Sequence, residues 1–177
     1  MSLAMVRSRA PASGRAPEVM VEVHLANGLP AFSIVGLPDL EVRESRERVR
    51  AALQNCNFDF PVRRITVNLA PADLPKESGR FDLPIALGIL AASGQLAVEA
   101  LNLREFAGEL SLTGALRPMR GAFAMACGTA RAGQHAEHTP ELYLPASSAA
   151  EAALVPGVDV YGAADLPSLC AHLVGDA

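Results

Sequence analysis

Two segments near the N-terminus have the polarity pattern of β-strands. In the second, "EVMVEVHL", apolar residues alternate with polar or charged ones, as they do in a strand with one buried face. The first, "LAMVRSRA", is also rich in β-forming residues. We therefore predict two strands, and the second is expected to turn four side chains inward: Val19, Val21, Val23 and Leu25.

A turn and a helix are predicted next. Asn27-Gly28 is a dipeptide typical of tight hairpin turns, so "PAFSIVG" is expected to be the returning strand. Asp39 can then cap a helix over residues 40–55. Its charged residues favour a solvent-exposed face held by salt bridges over a nucleic-acid-binding stripe. These residues are Arg43, Glu44, Arg46, Glu47, Arg48 and Arg50.

The stretch "NLAPADLPKESGRFDLPIALGILAASG" contains the candidate chemistry of the chain. It follows a predicted strand over residues 63–70 and enters a helix that is apolar on nearly every side, which indicates a central, buried helix. Asp82 is placed to cap this helix at its first turn, where Pro84 is tolerated. Gly94 stands where a C-terminal cap is expected.

The remaining pattern alternates between strands and helices. "EFAGELSLTG" predicts a strand pair or a bent strand with a bulge at Gly108, and "ALRPMRG" a turn. A buried helix is expected over residues 121–132 and a surface loop after it. Strand, helix, strand and helix follow. The whole pattern predicts one α/β domain over residues 1–177, with a mixed sheet packed against helices on one or both faces.

Composition narrows the class of protein. The chain has 177 residues, half of them hydrophobic, and a net charge of −4, which does not favour general affinity for nucleic acids. No apolar run is long enough to span a bilayer and no signal peptide is visible, so no membrane partner is expected. Three cysteines in apolar contexts predict reduced thiols in a cytoplasmic protein: Cys56, Cys127 and Cys170.

Several chemistries are disfavoured by residue counts and spacing. Lys76 is the only lysine, and its neighbours Pro75 and Glu77 do not fit a Walker A motif, so no nucleotide site is expected in this chain. His135 and His138 have close spacing but lie in a polar loop, and no metal site is predicted. Ser78 beside Lys76 is the one local candidate for a nucleophile. Its charged neighbours predict a wet setting that keeps the lysine protonated, so no catalytic residue is assigned.

Three blocks of the sequence resemble the N-terminal domain of the ComM/YifB family of magnesium-chelatase-like bacterial AAA+ ATPases. The blocks begin "VEVHLANGLPAFSIVG", "RRITVNLAPADLPKESGRFDLP" and "GELSLTGALRPMRGA". The resemblance implies a ribosomal-protein-S5-domain-2-like fold, similar to the proteolytic domain of Lon. It also implies an AAA+ motor downstream, absent from this chain, that binds ATP and Mg²⁺ and forms ring oligomers. A family function in DNA branch migration during natural transformation is expected.

The similarity to Lon bears on catalysis. In Lon-like peptidases the corresponding loop carries a serine at the head of the buried helix, and a later helix carries the lysine of the dyad. Here Asp82 stands near the position of the serine, and "GAFAMACGTARAG" contains no lysine. The resemblance therefore implies a non-catalytic accessory domain. A Lon-like Ser-Lys peptidase and a magnesium-chelatase subunit are the alternatives.

The domain offers cations for DNA or for a protein interface. If the fold is Lon-like, two loops should meet and gather four of these cations into one patch. Nearby acids could instead neutralise them, or they could pair with a neighbouring subunit or the motor. The candidates are Lys76 and Arg80 in the first loop, Arg117 and Arg120 in the second, and Arg63 and Arg64 at a strand start.

Overall fold

The computed structural model describes residues 2–12 and 15–175. Residues 1, 176 and 177, the ends of the predicted domain, lie outside the described residues. The strands are β1 (Leu3–Arg9), β2 (Glu18–Ala26), β3 (Ala31–Val35), β4 (Arg64–Ala70), β5 (Arg104–Phe106), β6 (Glu109–Leu110), β7 (Leu116–Arg117), β8 (Glu141–Pro145) and β9 (Asp159–Ala163). The α-helices are α1 (Leu40–Arg43), α2 (Ser45–Asn55), α3 (Asp82–Ala92), α4 (Ala122–Ala132), α5 (Ala146–Ala152) and α6 (Leu166–Gly175). Two 3₁₀ helices span Gly79–Phe81 and Val98–Leu101.

Seven of the described strands form one mixed sheet in the order β3-β4-β2-β1-β5-β8-β9. β2 is antiparallel to both β1 and β4, whereas β3 and β4 are parallel. The other neighbours, from β1 through β5 and β8 to β9, are parallel as well. The predicted α/β architecture, a mixed sheet packed with helices, is confirmed.

The alternation predicted for β2 is confirmed and continues across its neighbours. The four side chains expected to point inward, from Val19 to Leu25, are buried. In β1 the odd positions Leu3, Met5 and Arg7 are exposed while Ala4 and Val6 are buried. The four strands β1 to β4 thus bury one face of the sheet and leave the other largely uncovered.

The predicted hairpin between β2 and β3 is wrong. β3 does run back after the Asn27-Gly28 turn, but β4 lies between the two strands and pairs with both. Ala31 of β3 pairs with Arg64 of β4, and Ala26 of β2 pairs with that same residue. A local turn signal cannot report that a strand from later in the chain enters the gap.

The helix predicted over residues 40–55 is divided into α1 and α2 at Glu44. Asp39 caps the first part as predicted, since its side chain accepts a hydrogen bond from the Val42 N–H at 2.8 Å. The inner face of α2 packs on α3.

Helix α3 is the centre of the main core, and all eleven of its residues are buried. It lies across β1 and β2. A Cβ atom at Gly88 would come within 2.5 Å of Val23 Cγ2, so glycine allows this close approach of helix to sheet. Gly94 follows the helix with φ of +81°, which confirms the predicted C-terminal signal.

A second core lies on the opposite face of the sheet, at its far end. Leu142 and Leu144 of β8 pack there with α4 and α5, whereas Tyr143 faces the main core. β5 ends at Phe106, and after Ala107 and Gly108 the short β6 pairs with β7 outside the large sheet. The segment predicted as a turn, "ALRPMRG", therefore begins as a strand.

None of the helices within residues 2–12 and 15–175 combines the length and apolar character needed to cross a bilayer.

Candidate functional site

Lys76 is buried, which corrects the predicted wet setting for this ammonium. The residue is 1% exposed, and its Nζ donates hydrogen bonds to the backbone carbonyls of Gly36, at 2.6 Å, and Pro71. Burial lowers the pKa of Lys76, while the nearby charge of Asp73 acts in the opposite direction. The ammonium of the only lysine in the chain is thus hydrogen-bonded to two carbonyl oxygens.

Ser78 is not a partner of Lys76. Its Oγ accepts a weak hydrogen bond from the Arg80 backbone N–H at 3.4 Å, and the residue has a positive φ of 71°. The hydroxyl is half-buried, and both hydrogen bonds of the ammonium go elsewhere. The loop therefore contains a lysine and a serine but no hydrogen-bonded dyad.

Asp82 does not cap α3, contrary to the prediction. Phe81 is the cap residue and gives no side-chain hydrogen bond to the helix. The Asp82 carboxylate accepts four hydrogen bonds instead. The donors are Ser45 Oγ at 2.5 Å, Arg48 Nε at 2.6 Å, Arg48 Nη2 at 3.1 Å and the Leu110 backbone N–H at 3.0 Å.

These four groups, Ser45, Arg48, Asp82 and the Leu110 N–H, are called the Asp82 cluster below. Asp82 is fully buried, and burial raises the pKa of its carboxyl although all of its donors oppose that change. The pKa of Arg48 is also raised: burial lowers it, but the hydrogen bonds and charge of Asp82 outweigh this. Arg48 was predicted to belong to an exposed, salt-bridged face and instead joins α2 to α3.

The start of α3 is held by backbone bonds to the segment around Gly108. The Gly108 N–H donates to the Arg80 carbonyl at 2.9 Å, and the Leu83 N–H donates to the Gly108 carbonyl at 3.0 Å. The second bond satisfies an amide of the first helical turn that a capping side chain would otherwise satisfy. This explains why Asp82 is free to bind α2.

The two predicted loops do meet, but they bring together only two of the four cations expected there. Arg80 and Arg120 line a cleft of about 580 Å³, which we call the Arg80 cleft. Lys76 and Arg117 do not line it, and the exposed Arg117 lies 3.9 Å from the carboxylate of Glu109. The full lining is Pro11, Asp39, Glu41, Glu77, Ser78, Gly79, Arg80, Glu109, Pro118, Met119, Arg120 and Gly121.

Arg63 and Arg64 lie at the opposite end of β4 from this loop. Arg63 Nη2 contacts Ser2 Oγ and the Leu25 carbonyl, both at 3.3 Å, and Arg64 is exposed at the first position of the strand. The six predicted cations therefore do not form one patch.

Sequence reasoning missed the buried polar contact of Ser45 and the buried ion pair of Arg9. Ser45 falls on the apolar face of its helix, three residues after Val42 and four before Val49, which is a signal for a buried polar contact. Arg9 makes a bidentate ion pair with Glu105 at 2.7 and 3.1 Å. No local pattern joins Arg9 to a residue 96 positions away.

The thiols and potential metal ligands form no reactive group in the part of the chain that the structure describes. The cysteines are free, and burial raises the pKa of Cys170 to about 12. Within residues 2–12 and 15–175 no three His, Cys, Asp or Glu side chains are grouped so that they could hold a metal ion.

Comparison with known proteins gives the family. The protein-family model described as subunit ChlI of Mg-chelatase matches residues 21–141 of this chain. Uncharacterized protein YifB of Salmonella typhimurium is 47% identical and competence protein ComM of Haemophilus influenzae 49% identical, each over 175 residues. YifB of Escherichia coli is 44% identical over the same length. Each match covers 99% of this chain and 33% of the relative, so the chain spans about a third of the length of these relatives. The chain belongs to the Mg-chelatase ChlI-like family and, within it, to the group that contains ComM and YifB.

Proposed function

We propose that this chain is a non-catalytic accessory domain of a ComM-like, cytoplasmic AAA+ ATPase that promotes DNA branch migration in recombination and natural transformation. In this proposal the domain contributes to assembly of the ring rather than to chemistry. In this proposal the motor that binds ATP and Mg²⁺ lies outside this chain, which spans about a third of the length of its relatives.

The observation that carries the proposal is how the loop 76–82 uses its ionisable groups. A Ser-Lys peptidase needs a lysine amine within hydrogen-bond reach of its serine. Lys76 donates to the Gly36 and Pro71 carbonyls, and Asp82 near the expected serine position binds Ser45 and Arg48. Both groups stabilise the loop, which supports a structural use of a Lon-like framework.

Charge at the cleft favours a protein partner over DNA at this end of the domain. Asp39, Glu41, Glu77 and Glu109 line the Arg80 cleft together with only two arginines. Carboxylates beside a phosphate backbone oppose the counterion release that drives binding to DNA. A neighbouring subunit or the motor can carry the basic groups that such a surface complements.

Two experiments on the full-length protein test this proposal. The first compares intact protein with a version lacking residues 2–175, measuring ATP hydrolysis, ATP-driven migration of a four-way DNA junction and oligomer mass by light scattering. We expect the shortened protein to retain ATP hydrolysis but to form fewer rings and migrate junctions more slowly. Unchanged assembly and migration would contradict an accessory function.

The second experiment addresses the peptidase alternative. Ser78→Ala in the full-length protein should leave any cleavage of fluorogenic peptides unchanged, with the exposed Ser33→Ala on β3 as the matched control. A loss of cleavage confined to Ser78→Ala would replace this proposal with a peptidase.

A further inference from the structure

Arg80 is a buried cation whose donors are almost unused. The residue is 4% exposed, and its Nε is buried with no hydrogen-bond partner among the described residues. Nη2 has only the Met125 sulfur, at 3.8 Å. A planar guanidinium normally binds a carboxylate or phosphate through two parallel hydrogen bonds, and Arg80 makes no such pair with the residues that the structure describes.

The unpaired, buried guanidinium lowers the stability of the ligand-free protein. Burial lowers the pKa of Arg80 to about 10, with the charge of Glu77 acting against that change, so the group is still cationic at neutral pH. A buried charge without a counterion destabilises a fold, since its lost hydration is not replaced. The cluster only two residues away shows that this loop can satisfy a buried charge fully.

The guanidinium faces the cleft at Gly121. This glycine, with φ of +79°, lines the cleft, and a Cβ atom built on it would lie 3.7 Å from Arg80 Nη1. A side chain at this position would contact Nη1, so the glycine keeps the space beside this nitrogen open on the cleft side. The volume of about 580 Å³ lies within the usual range for sites that bind small molecules.

The rim of the cleft determines the charge of a suitable ligand. Four carboxylates and Arg120 line the cleft together with Arg80, and these five side chains are called its rim. One of the four acids, Glu109, also lies near Arg117 outside the lining. A polyanion would be repelled by this rim, and a phosphate dianion would be disfavoured for the same reason. A suitable ligand therefore has one anionic group that binds Arg80. It also has a cationic group that binds the carboxylates of the rim.

We propose that the Arg80 cleft binds a single carboxylate group through the guanidinium of Arg80, in a ligand that also carries a positive charge. The carboxylate comes either from a free amino-acid-like molecule or from an acidic side chain in a basic protein segment. This site does not depend on the proposed action on DNA, because its geometry and charges lie entirely within the described residues.

The test uses the intact protein and five probes: acetate, free glutamate, inorganic phosphate, a Lys-Glu-Lys tripeptide with blocked termini, and its Lys-Gln-Lys counterpart. Binding is followed by calorimetry and by the ¹⁵N–¹H signal of the Arg80 Nε–H group, identified by its loss in Arg80→Met. We expect Lys-Glu-Lys or glutamate to shift this signal, and Lys-Gln-Lys to bind at least tenfold more weakly than Lys-Glu-Lys. If Lys-Glu-Lys binds more tightly than glutamate, the ligand is a protein segment. If glutamate binds more tightly, the ligand is a small molecule.

Variants keep the test specific. Arg80→Met should weaken binding at least tenfold, whereas Arg64→Met, an exposed arginine at the distal end of β4, should not change it. Glu77→Gln should weaken the binding of Lys-Glu-Lys more than that of acetate, since only the tripeptide has cationic groups that contact the rim. Equal binding of the Glu and Gln tripeptides, unchanged binding in Arg80→Met, tighter binding of inorganic phosphate, or failure of Arg80→Met to fold would overturn the proposal.

Discussion

Arg80 and Asp82 are two residues apart and both are buried, yet their surroundings differ completely. The Asp82 carboxylate accepts four hydrogen bonds that join α2, α3 and β6. The Arg80 guanidinium has a buried Nε with no partner in the described part of the chain. A paired buried charge connects elements of the fold, whereas an unpaired one at a cleft lowers stability and offers an unused binding group.

The largest expected effect comes from removing the satisfied charge. Asp82→Ala should lower the free energy of unfolding by about 3–5 kcal/mol, because it leaves Arg48 without its carboxylate partner and the Leu110 N–H without an acceptor. Urea denaturation measures the change. The exposed Asp59→Ala should stay within about 0.5 kcal/mol of the wild type. Equal effects of the two substitutions would remove the contrast between Asp82 and Arg80.

Loss of one neutral donor should have a smaller effect. Ser45→Ala removes the 2.5 Å bond to Asp82 but keeps Arg48 and the Leu110 N–H, so we expect a loss of about 1–2 kcal/mol in the free energy of unfolding. The exposed Ser33→Ala is the matched control. A loss as large as that of Asp82→Ala would mean that the serine, not the ion pair, dominates the cluster.

Arg80→Met should act in the opposite direction. It replaces a buried, unpaired charge by an apolar side chain of similar length, so the free energy of unfolding should rise by about 1 kcal/mol or stay unchanged. Thermal and urea denaturation of the ligand-free protein measure it. A clear loss of stability would show that Arg80 stabilises the fold, as Asp82 does.

The smallest effect concerns the third buried charge of the loop and depends on pH. Burial lowers the pKa of Lys76 below its ordinary value of 10.5, so between these two values the unfolded chain binds more protons than the folded one. The stability contributed by Lys76 should therefore rise as pH increases through the folded pKa towards 10.5. Urea denaturation measures the free energy of unfolding of the wild type and of Lys76→Met from pH 7 upward. As pH rises, the free energy of unfolding of the wild type should increase relative to that of Lys76→Met. Parallel pH profiles would contradict this.

Local patterns identified most of the elements but not their partners. Alternation identified the buried face of β2, and uniform apolarity identified α3 as the central helix. The same reasoning paired β3 with β2, because a turn dipeptide contains no information about the later insertion of β4. Strand order depends on contacts between segments far apart in sequence, which periodicity does not report.

The candidate site shows the same division. The meeting of the two loops was predicted through the resemblance to Lon, and Arg80 and Arg120 do line one cleft. The predicted cap at Asp82 was wrong because Ser45 and Arg48 reach it from 37 and 34 residues away. The predicted solvation of Lys76 was wrong because the Gly36 carbonyl, 40 residues earlier, replaces water around its amine.

The Leu110 amide has a consequence for the dynamics of the domain. Its proton is held by a side chain of α3 rather than by a strand neighbour, so it can exchange with solvent only when the carboxylate moves away from β6. Its exchange rate with deuterium therefore reports the opening of this junction without any added label. Slow exchange at Leu110 that matches the global unfolding rate would mean that α2, α3 and β6 separate only when the whole domain unfolds.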